Sequence, residues 1–481
     1  RPPVISVYKD PADPTYSARD PFTDLPFYQA DGSFQSDRYE WTQNPIALAY
    51  FTDNRQKQFK TFGNVYGEYA LLADRSLKFR TNVGVELNFN HNKAFFENFG
   101  DDDGNAGPLD QGQGRQNRPN GLNEDRGDDL TITWNNTLSY DKAFGMHSIN
   151  ALVGSEFINN TSASINASRR RYEYADPAFR YIDLGPTDND LWNGGFGQEW
   201  ALFSLFGTAT YVYDGKYMLT GNLRADASSR FGENNQWGYF PSVSAGWGVT
   251  EEAFMADVSW LNYLKLRLST GTLGNQAIPN YAYRTLYSRE GHITRYGNPD
   301  LRWESTTQHN AGIDLNAFRN RLSVSVDYFI KNTHDILLPV SLPNLVGNVG
   351  ATYVNAGEVV NKGFEFGVGF RDVTQGGLTY GINANLATLT NTVEKLHPNV
   401  PRIIGDVTRA EAGQPLDVYY GYIMEGIYQN TTEISSHLHG TTNPVARPGD
   451  IRFKDQNDDG VINDLDRTFM GNPIPKLTYG L

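Results

Sequence analysis

From Leu77 to Asn90 apolar and polar positions alternate without a slip. Leu77, Phe79, Val83, Val85, Leu87 and Phe89 share one parity, and Lys78, Arg80, Asn82, Glu86, Asn88 and Asn90 share the other. Side chains of an extended chain point alternately to opposite faces, so the pattern predicts one long strand with a greasy face and a charged, amide-rich face. Soluble sheets rarely need that combination. A tilted strand crossing a bilayer does, over roughly 9 to 11 residues with lipid on one side and water on the other.

The alternation recurs along the chain, and the connections between strands alternate in length. A strand near Phe59 to Leu72 reaches Leu77 through Ala73-Asp74-Arg75-Ser76, whereas Asn90 is followed by a long polar stretch that includes Asp101-Asp102-Asp103-Gly104 and residues 112–118. That stretch is too polar to bury and too rich in glycine to be regular. Leu130 to Tyr140 turns at Asp141 to Met146 into Ile149 to Phe157, and a loop follows to about Gln198. Trp200 to Tyr213 turns at Asp214-Gly215, a strong hairpin signal, into Met218 to Phe231. Phe240 to Val249 pairs with Leu264 to Thr272, Trp303 to Phe318 turns at Arg319-Asn320 into Leu322 to Ile330, and Phe364 to Phe370 turns near Gln375-Gly376 into Leu378 to Leu389.

These hairpins are expected to have brief turns at one end and long loops at the other. This asymmetry belongs to outer-membrane barrels, whose periplasmic turns are short and external loops long. It places residues 391–475 outside the cell as a long loop region, residues 1–57 as a loop region leading in, and the barrel over residues 58–481. A soluble stack of β-sandwiches or a propeller also alternates, but seldom with strands of this length.

Composition narrows the class. The chain has 481 residues, 39% of them hydrophobic, and no window approaches the roughly 18 consecutive apolar residues of a membrane helix. Aromatics make up 13%, with 28 Tyr and 47 Gly, a mixture suited to strands, turns and interfacial girdles. The absence of cysteine excludes a disulfide scaffold and thiolate chemistry. A net charge of -14 disfavours a nucleic-acid partner, and the triplet Arg169-Arg170-Arg171 reads as a solvated loop patch. No secretory leader is visible at Arg1-Pro2-Pro3, and Lys476 to Leu481 reads as the opening of a further strand, so a fragment of a longer protein is expected.

Several stretches resemble the SusC/RagA family of TonB-dependent outer-membrane transporters. Asn44-Pro45-Ile46-Ala47 with Thr52-Asp53-Asn54 resembles the segment before one of its strands. Tyr217 to Phe231 resembles its Arg-Asp-Gly-Ser-Ser-Arg-Phe-Gly stretch, with Ala227 in place of the usual Gly. Gly238-Tyr239-Phe240-Pro241-Ser242 to Trp247, Leu264-Lys265-Leu266-Arg267 to Gly274-Asn275-Gln276, and Asn298-Pro299-Asp300-Leu301-Arg302-Trp303-Glu304 follow in order. Val326-Asp327-Tyr328 with Lys331-Asn332-Thr333, Asn361-Lys362-Gly363-Phe364-Glu365, and Pro448-Gly449-Asp450-Ile451 through Tyr479 complete a collinear set.

The resemblance implies an all-β, transmembrane antiparallel barrel of 22 strands in the family, of which about 14 to 15 are expected here. It also implies an N-terminal plug and final strands outside this sequence. Barrels of that size close around a plug, so this segment alone is not expected to form a sealed pore. Further implications are import of oligosaccharides or peptides across the outer membrane, a SusD-like surface lipoprotein as lid, and energy from TonB through a segment upstream of Arg1.

The sharpest local motif runs from Asp455 to Asp466. It matches a calcium loop at Asp455, Asn457 and Asp459, at Gly460 for the sharp turn, at Val461 for a backbone carbonyl, and at Asp466 to close the shell. Aspartate at the last position weakens bidentate closure. The bland alternative is an Asp/Asn-rich turn held by its own side chains. His437 and His439 lack neighbouring carboxylates and read as loop residues.

No catalytic elbow, paired-carboxylate motif, P-loop or zinc-helix motif is present, so no enzyme activity and no organic cofactor are expected. Trp192, Trp237, Tyr239, Tyr287 and Tyr296 fall in or beside external loops, where rings stack on sugars or peptides, or else form a girdle or pack the loops. Tyr419, Tyr420, Tyr422 and Tyr428 are candidate contacts of the lid. The reading is thus import of oligomeric nutrients, with an adhesion or secretion barrel and an outer-membrane hydrolase as rivals.

Overall fold

The computed structural model describes residues 8, 10–12, 45–97, 120–174, 176–187, 191–340, 349–397, 400–437 and 446–481. Eight long strands come first: β1 (Thr52–Ala70), β2 (Leu77–Phe96), β3 (Gly121–Phe144), β4 (His147–Arg170), β5 (Leu191–Tyr213), β6 (Tyr217–Ser228), β7 (Trp237–Gly248) and β8 (Leu261–Asn275). They neighbour one another in chain order. Glu304–Ala317, Leu322–His334, Glu358–Val373, Thr379–Thr388 and Leu477–Gly480 extend the same sheet, and Thr390–Lys395 pairs back on Glu358–Val373, making 14 strands.

The hairpin turns expected from the sequence fall at 71–76, 145–146, 214–216, 249–260, 318–321 and 374–378, and the connection 229–236 at the opposite end of β6 and β7 is also brief. Asp214 and Gly215 both take positive φ, 51° and 69°, as the tight hairpin between β5 and β6 requires. The connection 249–260 is the long one of the set, and it is pinned: Tyr217 Oη and Trp247 Nε1 both donate to Glu252 Oε1. At the first turn, Ser76 and Lys142 donate to Asp74, whose carboxyl is held down to about 2 by these hydrogen bonds.

Strands run further than alternation alone suggested. β1 begins at Thr52, inside the stretch expected as loop, after the helix Pro45–Tyr50, and β3 and β4 each span 24 residues. Beyond the bilayer both faces meet water, so Asn123, Glu124, Asp125, Arg126, Asp128 and Asp129 carry no parity while their backbone still pairs. In the other direction β6 stops at Ser228, short of Phe231.

The 391–475 stretch holds regular structure of its own. Arg402–Ile404, Thr408–Glu411, Val418–Tyr422 and Arg467–Gly471 form a four-stranded sheet, and Met424–Ile427 pairs with Ile451–Phe453. Asn430 caps the helix Thr431–Ser436 by accepting from the Glu433 N–H at 2.9 Å.

The chain divides into two compact units. The first comprises residues 1–65, 83–133 and 158–200 and is knit by Phe95, Leu122 and Tyr172, with Asn120 bonded to the Tyr172 backbone at both its carbonyl and its N–H. The second comprises residues 66–82, 134–157 and 201–481. Within it, Gly363 marks a change of partner: residues 365–373 pair with Thr379–Thr388 and residues 358–362 with Thr390–Lys395. A Cβ at Gly363 would run into the Thr388 carbonyl, which is why the break sits on a glycine.

Candidate functional site

In the second unit the polar parity carries Arg224 and Arg267, each tied to acids on its own or nearby strands. On β8, Leu264, Leu266 and Leu268 take one face and Lys265 and Arg267 the other. Arg267 Nε donates to Asp314 Oδ2 at 2.6 Å, and its Nη2 donates to Asp314 Oδ1 at 3.0 Å and to Asp327 Oδ2 at 3.1 Å. To reach Asp327 the guanidinium crosses Gly312, which lies in register with both residues. A Cβ there would occupy the space of the ion pair.

Arg224 on β6 repeats the device: it donates to Asp226 at 2.8 Å, to Glu156 on β4 at 3.2 Å, and to the buried Ser204 hydroxyl on β5 at 2.8 Å. Asn222 donates to Ser242 Oγ, continuing the polar face onto β7. Such charge-assisted pairs order the polar face, although Asp327 Oδ1 is itself buried with no hydrogen-bond partner. The polar face thus presents fixed donors and acceptors.

Four of the stretches that resembled the family, those around Phe231, Phe240, Gln276 and Trp303, meet in one hub at the loop ends of β6 to β8. Phe231, Ile278, Ala282, Leu301 and Trp303 form its core, with Leu202, Phe240, Leu337 and Tyr353 against it. Trp303 Nε1 donates to the Gln236 carbonyl at 2.9 Å, Arg230 donates to Asn280 Oδ1 at 3.0 Å and to the Gln276 carbonyl, and Ser228 Oγ donates to Gln276. Gly232 lies under Pro299, whose carbonyl is 2.6 Å from where a Cβ would stand. These motifs build the base of the loops.

The aromatic candidates part company. Trp237 and Tyr239 share the outward parity of Val243 and Trp247 on β7, and the Trp237 ring meets Phe203 edge-on at 6.2 Å. Trp192 is exposed near the start of β5, in the first unit. Tyr287 is exposed on the two-residue strand paired with Ile293–Arg295, and the Tyr296 carbonyl accepts from Thr352 Oγ1.

Tyr419 is exposed, whereas Tyr420 meets Phe469 edge-on with the Arg409 guanidinium 4.5 Å above its ring. Tyr422 donates to Asp464 Oδ1 at 3.0 Å and lies under Arg467. Tyr428 is buried against His437, its hydroxyl 2.9 Å from Nδ1. His439 lies outside the described residues.

The 455–466 loop is wound on its own side chains. Gly460 N–H, at φ 85°, donates to Asp455 Oδ2 at 2.8 Å; Asp459 N–H donates to Asn457 Oδ1 at 3.2 Å; Val461 N–H donates to Asp459 Oδ1 at 2.9 Å. Asp466 is fully buried and accepts from Gln456 N–H at 2.8 Å and Asn463 N–H at 2.7 Å. Burial alone would raise its carboxyl, but the backbone donors of Asn463, Gln456 and Asn457 prevail and hold it below the usual range. Asp455 Oδ1 is buried with no hydrogen-bond partner. Among the described residues no group of three or more His, Asp or Glu side chains is gathered as a metal cage.

Sequence reasoning missed the arginine crossings and the hub. The signal for the first was present, an arginine at a polar position between leucines in Leu266-Arg267-Leu268.

Comparison with known proteins agrees with this architecture. The family model described as TonB dependent receptor-like, beta-barrel, matches residues 10–444. TonB-dependent receptor P3 of Formosa agariphila is 29% identical over 483 residues, covering 95% of this chain and 46% of the relative. TonB-dependent receptor SusC of Bacteroides thetaiotaomicron is 25% identical, covering 98% and 47%. The RagAB peptide transporter superposes with a TM-score of 0.74 at 22% identity, covering 94% of this chain and 49% of that one. The chain spans about half the length of the curated relatives it matches.

Proposed function

The chain belongs to the TonB dependent receptor-like β-barrel family, an outer-membrane family of receptors, and from that premise we propose that it supplies barrel wall to an active importer of oligomeric nutrients. The observation that carries the proposal is the inward set of Arg224 and Arg267 with their acids, on strands whose other parity is apolar. A wall of this kind passes polar oligomers while facing lipid outside. In this proposal a SusD-like lipoprotein closes over the external loops, and TonB drives transport through the rest of the receptor.

Oligosaccharides and peptides are the two candidate cargoes. Uptake of defined glycans and peptides by cells lacking the full-length receptor, and by the same cells complemented with it, decides between them. Loss of uptake of one class on deletion, restored by complementation, is the expected result; unchanged uptake of both classes overturns the proposal.

We also propose that the 455–466 loop takes a calcium ion through Asp455, Asn457, Asp459, the Val461 carbonyl and Asp466. The unpartnered Asp455 Oδ1 supports it, and the ion would displace the internal hydrogen bonds of Asn457 and Asp459. Titrating calcium into the full-length receptor while following amide protection of this loop is expected to give a saturable response that Asp455→Ala abolishes. An identical profile with and without calcium refutes the ion and leaves a self-held turn.

A further inference from the structure

The external segment 276–303 is basic within a chain of net charge -14: Arg284, Arg289, Arg295 and Arg302 stand in it against Glu290 and Asp300. Arg289 pairs with Glu290 and Arg302 with Asp335. Among the described residues Arg295 has no acidic partner. Its Nη2 donates to the Asn280 carbonyl at 3.3 Å, and its Nε is buried with no hydrogen-bond partner. A buried donor left without an acceptor is costly, and more so on a charged group.

A second guanidinium meets the same residue. Arg230 Nε donates to Asn280 Oδ1 at 3.0 Å, so Asn280 stands between two arginines. Tyr281, next in the chain, takes φ 61°, a left-handed conformation that a bulky side chain adopts only where its surroundings impose it. Bringing two like charges to one residue is unfavourable unless an anion completes the cluster. Ser228, two residues before Arg230, has the parity of Arg224 and Asp226, so the cluster begins where the polar face of β6 ends.

We propose that this cluster receives a carboxylate of the cargo, with Arg295 as the guanidinium fork and Arg230 as a supporting charge. The inference rests on the import reading and narrows it to carboxylate-bearing oligomers, whether acidic peptides or glycans built on uronic acids. Neutral oligomers lack the group that the arginines recognise.

Calorimetric titration of the full-length receptor tests it, with trigalacturonate and its methyl ester as one pair of probes and a tetrapeptide amide carrying two glutamates and its glutamine counterpart as the other. Saturable binding of one acidic probe is expected, about tenfold weaker for its neutral counterpart and for Arg295→Gln, with Arg295→Lys recovering part of the loss. The acidic probe that binds identifies the source of the carboxylate. Arg289→Gln removes the same charge from an exposed position of the segment and is expected to bind as the unaltered receptor does. Equal affinity for acidic and neutral probes, which needs no variant to read, overturns the proposal, as does binding of neither acidic probe or equal weakening by Arg289→Gln. Uptake of neutral but not acidic oligomers by complemented cells overturns it and leaves import standing, whereas unchanged uptake of every class on deletion of the receptor overturns import itself.

Discussion

At the scale of single residues, Gly312 shows how a sheet makes room for chemistry. The Arg267 guanidinium passes over it to bind Asp314 and Asp327, and any Cβ would contest that space. Gly312→Ala is therefore expected to displace the arginine and destabilise the folded barrel by about 1 to 3 kcal/mol, the usual range for overpacking. Urea unfolding of the refolded full-length receptor, followed by the shift of its heat-modified band, measures it; an unchanged midpoint would mean that the guanidinium has a second path. The arginine itself was legible, since it interrupts a run of alternating leucines. The glycine was not, because its reason appears only when three strands are set in register, with Arg267 lying 45 positions before Gly312 and 60 before Asp327.

At the scale of elements, the middles of the strands were readable and their ends were not. Leu77 to Phe89 alternates because lipid and water demand different side chains on its two faces, whereas Asn123 to Asp129 stands in water on both sides and alternates in nothing. The same logic hid the four-stranded sheet between 402 and 471, whose strands of three to five residues are too short to show a period. Turns were legible where backbone geometry restricts the residue. Asp214-Gly215 is the clear case, and Gly215→Val, which places a branched side chain at φ 69°, is expected to cost about 1 to 3 kcal/mol and to loosen the register of β5 on β6. Faster amide exchange at Tyr213 and Tyr217 in the variant checks this; wild-type exchange rates would contradict it.

At the scale of the whole molecule, the decisive property is that one parity faces hydrocarbon throughout. Trp134 on β3 is 50% exposed on that parity, bonded to Thr81, whereas Trp303 is sealed in the hub with 9% exposure. In single-tryptophan variants of the full-length receptor reconstituted with brominated acyl chains, Trp134 fluorescence is expected to be quenched severalfold and that of Trp303 to persist. Equal quenching of both would place the apolar face elsewhere. The two-sidedness was plain in the sequence; the hub was not, since Trp303 meets Gln236 and Gly232 meets Pro299 across 67 positions that follow no period.

That interlock bears on how such receptors diversify. The external segment that follows β8 does not sit on the wall as a separable appendage: Pro299 caps Gly232, Trp303 holds Gln236, and Arg230 grips Asn280. Recombination that exchanged 276–303 alone would graft one half of a clasp onto a foreign counterpart, so an exchange at this corner is expected to keep its contacts only when the whole cassette from Ser228 to Glu304 moves together.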